Sequence, residues 1–320
     1  MVLDIAFVIL GLVILLVAGD MLVRGAVILA RLLNVPALLI GLTIVAFGTS
    51  APELAVTVKA VLSGDNGIAI GNIVGSNIAN ILLVLGLPAL IAPLCLKTPG
   101  LGLHGITMMG ATVLFAYVVY GKGVLDTQWG LIFLLFIFAY IAFVGVSAMR
   151  KGKDEAGFVE EVEELTAHPP KLPKTIFLVV GGLIGLPLGG ALLVQHGADL
   201  ARSLSIREDI IGLTIVAFGT SLPELATVWA AALKKQADVA VGNIIGSNIF
   251  NILFVGGAAG LFGTTIFTEE LARYDLPVMI FVTLILLIMV LMKSRITRGV
   301  GVVFMVIYIA YILFISVNAA

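Results

Sequence analysis

The sequence predicts an all-α polytopic membrane protein of ten transmembrane helices, arranged as two inverted five-helix repeats. Three observations carry that expectation. Of 320 residues, 61% are hydrophobic and 12% charged, and the mean hydropathy is +1.20; soluble domains carry about 25% charged residues. Apolar runs of about 20 residues, long enough to cross a bilayer, recur from end to end. The chain also spells one passage twice: LTIVAFGTSAPELA at 42–55 and LTIVAFGTSLPELA at 213–226 agree at 13 of 14 positions. A second passage, GNIVGSNIAN at 71–80, returns as GNIIGSNIFN at 242–251 with 8 of 10 positions kept. Both pairs are 171 residues apart.

Spans are expected near 5–30, 36–61, 68–92, 102–120 and 129–149, then 174–201, 209–233, 239–262, 275–292 and 298–317. The first opens MVLDIAFVIL, with Asp4 and no basic start, so it reads as a permanent helix rather than a cleaved signal. The one long polar segment, RKGKDEAGFVEEVEELTAHPPKLPK, separates spans five and six. It reads as a solvated linker with a helical turn or two around FVEEVEEL, too short for a regulatory domain. The division is therefore residues 1–149, a linker at 150–173, and residues 174–320. Five spans per half is an odd number, so the second half is inverted, a common transporter plan. Lys and Arg number 13 on the side of the linker and 5 on the other, which places the linker in the cytoplasm and both termini outside, in the cell membrane. The net charge of −1 gives no pull toward nucleic acid. Cys95, the single cysteine, excludes an internal disulfide and reads as apolar filler.

Within TIVAFGTSAPEL, Pro52 lacks an N–H and clashes with the carbonyl four residues back, at Gly48. A break near 48–50 follows. It leaves carbonyls free near Ala46 and Phe47, at the negative end of a half-helix. Thr49, Ser50 and Glu53 add oxygens within a turn, as do Thr220, Ser221 and Glu224 in the copy. Ser50 and Glu53 also have the spacing of a capping box. Capping alone is a poor account: an acid at bilayer depth costs about 2.5–3.5 kcal/mol, a cap returns typically about 1 kcal/mol, and Gln would serve without the charge.

In the second passage Asn72, Ser76 and Asn80 lie at i, i+4 and i+8 on one face, with Gly71 and Gly75 as a GxxxG step beside it. Asn243, Ser247 and Asn251, with Gly242 and Gly246, repeat the pattern. Binding is favoured for Ser76, Asn80, Ser247 and Asn251. For Asn72, Asn77, Asn243 and Asn248, interhelical bonding and binding stand even. The combined inventory is all oxygen, without His or Cys, so zinc or copper fits poorly. Ca2+ accepts six to eight oxygens in tolerant geometry. Two glutamates balance its charge, and Na+ can compete for the same carboxylates.

At these passages the chain resembles the cation/Ca2+ exchanger superfamily, specifically the prokaryotic Na+/Ca2+ antiporters, whose two α-repeats look like the paired GTSxPE and GNxxGSNI segments. The resemblance implies ten helices, external termini and electrogenic exchange of several Na+ for one Ca2+ by alternating access. It implies as ion ligands the Ala46 carbonyl, Thr49, Ser50, Glu53, Ser76 and Asn80, with the Ala217 carbonyl, Thr220, Ser221, Glu224, Ser247 and Asn251. It also implies that spans one and six slide across the core as a pair. Asn251 stands where some relatives carry Asp, which favours K+-independent exchange. The expected partners are the two ions and the lipid bilayer, with no cofactor, no obligatory protein partner and no nucleic acid.

H+-coupled or K+-dependent exchange of Ca2+ or another divalent cation remains the alternative, and a passive cation channel stands further off. An enzyme is not expected: an intramembrane hydrolase using Ser50 or Ser221 would need a base, and neither passage holds a His or Lys. Elsewhere, Asp20 and Arg24 are expected to pair at i, i+4. His104, His168 and His196 show no metal-ligand spacing, though His196 is a candidate pH-sensitive element. Asp199, Glu208 and Asp209 suit an outer mouth, and Trp129 and Trp229 suit interfacial anchoring.

Overall fold

A chain buried in hydrocarbon must satisfy every backbone N–H and C=O within itself, which favours helices. The structure is a computed structural model describing residues 2–151, 172–203 and 217–318. Its helices are α1 (Val2–Leu32), α2 in two arms (Ala37–Thr49 and Ala51–Leu62), α3 (Asn66–Ala89), α4 (Leu101–Lys122) and α5 (Thr127–Lys151). They continue as α6 (Leu172–Ser203), α7 in two arms (Ala217–Thr220 and Leu222–Leu233), α8 (Ala237–Phe262), α9 (Leu271–Leu291) and α10 (Arg298–Asn318). Among the described residues, 8 helices are long and apolar enough to span a membrane, and the bent pair of α2 makes a ninth. The protein is an all-α polytopic membrane protein, and each expected span overlies one of these helices. The start of span seven, the linker turn at FVEEVEEL and the mouth residues Glu208 and Asp209 lie outside the described residues.

Burial ranks the helices. The most apolar windows of α3 and α8 are 78% and 89% buried, against 28% for α1 and α6 and 11% for α10. The motif-bearing helices therefore occupy the centre, where an element is enclosed on all sides. α1 and α6 pack antiparallel across the outside. A Cβ at Gly11 would lie 2.8 Å from the Gly189 carbonyl, and one at Gly182 would lie 2.9 Å from that of Ala18. These two contacts interchange when the halves are exchanged, as two oppositely directed repeats require.

Two short clasps obey the same exchange. β1 (Leu94–Cys95) pairs with β4 (Arg295–Ile296), and β2 (Val124–Leu125) with β3 (Thr265–Ile266), both antiparallel. Leu94 faces Ile296, and its repeat-related residue Thr265 faces Leu125. Each clasp joins one half to the other. No strand was expected from the sequence, because two residues carry no readable alternation.

The GxxxG expectation divides between the halves. In α8 a Cβ at Gly242 would lie 2.8 Å from the Leu38 carbonyl, and one at Gly246 2.6 Å from that of Leu42, so α2 lies directly on it. In α3 no described atom lies within 4 Å of a Cβ at Gly71 or Gly75. The repeat-related partners there, Asp209 and Leu213, fall outside the described residues.

Candidate functional site

The break in α2 falls at Ser50, between arms bent by 41°. Pro52 starts the second arm, where a missing N–H is harmless. α7 breaks at Ser221 in the same way, with Pro223 opening its second arm. Ser50 (φ −82°, ψ 5°) and Ser221 (φ −84°, ψ 3°) keep near-helical backbones, and neither side chain makes a capping bond. The expected capping box is therefore absent. A cap needs the extended backbone that turns its side-chain oxygen onto the following N–H groups. The Ser50 hydroxyl instead faces the other half, 3.4 Å from Glu224 Oε1. The Ala46 carbonyl, expected to be free, accepts the Ser50 N–H at 3.0 Å and faces the Thr49 hydroxyl at a loose 3.3 Å.

Thr49, Ser50, Glu53, Ser76, Asn80, Thr220, Ser221, Glu224, Ser247 and Asn251 are all buried, with both glutamates at 0% exposure. Ala46 is buried beside them, and Ala217 opens the described part of α7. Cross-half contacts link several of these side chains. The Thr49 hydroxyl lies 3.1 Å from Asn243 Oδ1 and 3.3 Å from Ser247 Oγ. Ser247 Oγ in turn lies 3.5 Å from Glu224 Oε1. Hydroxyl bonds ordinarily run at 2.5–3.0 Å, so these are loose contacts that leave lone pairs unused. Ser76, Thr220 and Asn251 show no such cross-half bond among the described residues.

Several buried atoms have no hydrogen-bond partner among the described residues: both carboxylate oxygens of Glu53, Oε2 of Glu224, Oγ of Ser221, Oδ1 of Asn80, and Oδ1 and Nδ2 of Asn251. Leaving a buried polar atom unpaired costs about 1–3 kcal/mol, more for a charged group. A set of unsatisfied oxygens on four helices is a donor set for a hard cation.

Starting at Asn80 and Asn251 themselves, the helices widen into π turns at Asn80–Val84 and Asn251–Val255, repeat-related segments. Such turns commonly mark functional positions. A third, at Gly41–Val45, precedes the α2 break.

A model of the sodium/calcium exchanger protein family matches residues 3–147 and 174–317. This chain belongs to the sodium/calcium exchanger family. It is 34% identical to the sodium/calcium exchanger MaX1 of Methanosarcina acetivorans, over 95% of each chain. It is 37% identical to the inner membrane protein YrbG of Escherichia coli, over 94% of this chain and 93% of that one. The solved structure of the sodium-calcium exchanger NCX_Mj, soaked with Na+ and Ca2+, superposes with a TM-score of 0.84 at 31% identity, over 98% of both chains.

Within this exchanger-family site the structure separates the four asparagines left open between bonding and binding. Asn72 Nδ2 donates to the Glu53 carbonyl at 3.0 Å and to Thr57 Oγ1 at 2.9 Å, tying α3 to the acid-bearing arm of α2. Asn80 Nδ2 donates to Asn248 Oδ1 at 3.0 Å, and Asn248 Nδ2 to the Asn77 carbonyl at 3.3 Å. Asn243 instead receives Thr49 from the opposite half. Thr57 escaped the sequence reading because Val228 occupies its repeat-related position.

The outlying residues also find partners. Asp20 pairs with Arg24 at 2.8 Å as expected, and Lys234, directly after α7, joins them. Trp229 lines a cleft of about 350 Å³ there, between α1 and α7. Trp129 packs edge-on against Tyr117 and Phe133. Cys95 is half-buried in β1.

Proposed function

We propose that this chain exchanges Ca2+ for Na+ across the cell membrane by alternating access, electrogenically and without K+. The observation that carries the reading is the pair of fully buried glutamates on two broken helices of opposite halves, with three carboxylate oxygens unpaired among the described residues. The names of the relatives, sodium/calcium exchangers among them, agree with it. The ligands we assign are the Ala46 and Ala217 carbonyls, Thr49, Ser50, Glu53, Ser76, Asn80, Thr220, Ser221, Glu224, Ser247 and Asn251. One Ca2+ neutralises the two carboxylates. Each carboxylate can equally serve Na+, and more than two Na+ per Ca2+ moves net charge. Asn251 offers an amide where a third acid would add the charge to retain K+. Residues 1–149 and 174–320 act as inverted repeats about this site, with the 150–173 linker cytoplasmic and the termini outside.

Ca2+ uptake into proteoliposomes under imposed Na+, K+ or H+ gradients tests the reading. An outward Na+ gradient should drive uptake, an inside-positive potential should accelerate it because more positive charge leaves with Na+ than enters with Ca2+, and K+ should leave it unchanged. Uptake driven by H+ alone would assign proton coupling. Flux needing no counter-ion would make the protein a channel.

A further inference from the structure

We propose a second cation site, for a borderline divalent ion such as Zn2+, built from Asp4, His196 and Asp199 where α1 and α6 meet. His196 and Asp199 stand at i, i+3 on one face of α6. Asp4 arrives from the antiparallel α1, and His196 Nδ1 lies 3.1 Å from Asp4 Oδ1. The three ligand atoms lie within 4.8 Å of one another. Zn2+ bonds N and O donors at about 2.0–2.2 Å in a tetrahedron, which sets neighbouring donors about 3.3 Å apart. The Asp4–His196 edge already has that length. Asp199 completes the set by a side-chain rotation that exchanges its 2.8 Å pair with Arg202 for the metal. That pair is half-exposed, and such pairs contribute little.

Two features pre-form the site. Phe7 stacks on the His196 ring at 4.4 Å and 15°, fixing the imidazole plane. Asp4 precedes Gly11, and His196 follows Gly189, each by two helical turns, and those glycines hold the backbones in contact. An imidazole beside two carboxylates distinguishes this site from the all-oxygen centre: nitrogen selects Zn2+ or Co2+ over Ca2+. The ligands come from positions 192 residues apart, so the lack of metal spacing around His196 in the sequence did not reveal them. The repeat-related residues, Thr175 for Asp4 and Gly25 for His196, offer no such donors, so the site has no twin. The inference does not rest on the exchange reading.

The test uses the full chain with Glu53→Gln and Glu224→Gln, and with Cys95→Ser, so that the central acids and the thiol cannot answer for the metal. Calorimetry with Zn2+, and visible absorption with Co2+, should report one ion per chain. His196→Ala or Asp199→Asn, added singly, should each weaken binding at least ten-fold. Asp199 is a half-exposed side chain, so its amide keeps the fold, as a thermal melt verifies. No Zn2+ bound at tens of micromolar, or an affinity unmoved by both substitutions, overturns the proposal.

Discussion

Glu53 carries both carboxylate oxygens into full burial with no hydrogen-bond partner for either among the described residues, while Glu224 receives the Ser50 and Ser247 hydroxyls on one oxygen. An ionised carboxylate left unpaired in low dielectric is costly, so a bound cation stabilises the fold in proportion to its affinity. At 100 times its Kd, Ca2+ should add about 2.7 kcal/mol and raise Tm. Glu53→Gln should abolish that shift and, without ions, melt above the wild type. An undiminished Ca2+ shift in this variant would remove Glu53 from the site. Asn248→Ala should cost about 1–3 kcal/mol, because it strands the Asn80 amide and frees the Asn77 carbonyl; a chemical melt reads the loss. The sequence disclosed the acids, hydroxyls and amides, since polar side chains in an apolar run stand out. It did not disclose which half each one faces: the Ser50 hydroxyl turns to Glu224, and Thr49 to Asn243.

At the scale of elements, positions were legible and local departures were not. Apolar length marked the spans, and Pro52 and Pro223 marked the breaks. The π turns at Asn80–Val84 and Asn251–Val255 left no trace, because one extra residue disturbs no pattern in a helix buried on every side. Near-identical passages also hid the asymmetry between Asn72, bonded within its own half, and Asn243, bonded across. The α1–α6 contact makes its own prediction. Gly11→Leu forces a side chain against the Gly189 carbonyl, and overpacking of this kind costs typically 1–3 kcal/mol. Gly110→Ala, with no described atom within 4 Å, should be neutral or stabilising. Equal melting of the two variants would contradict the close packing.

For the whole molecule, the clasps offer a direct check on how the halves join. Cys95 faces Arg295 across the β1–β4 pair, and directly opposed antiparallel residues stand about 4.5–5.5 Å apart at Cα, within disulfide reach. Arg295→Cys should therefore bond to Cys95 on mild oxidation. After proteolytic cutting of the 152–171 segment, the halves should run together on a non-reducing gel and apart on a reducing one. Separation under both conditions would contradict the pairing that encloses the site between the repeats.

The central claim is that Glu53 and Glu224 hold one shared Ca2+, and equilibrium Ca2+ binding to the purified chain tests it most directly. The account predicts one Ca2+ per wild-type chain, displaced by Na+, and a loss of at least a hundred-fold in affinity for Glu53→Gln and for Glu224→Gln separately. Two Ca2+ per chain, each lost with only one of the glutamates, or full affinity with both glutamates neutralised, would contradict it.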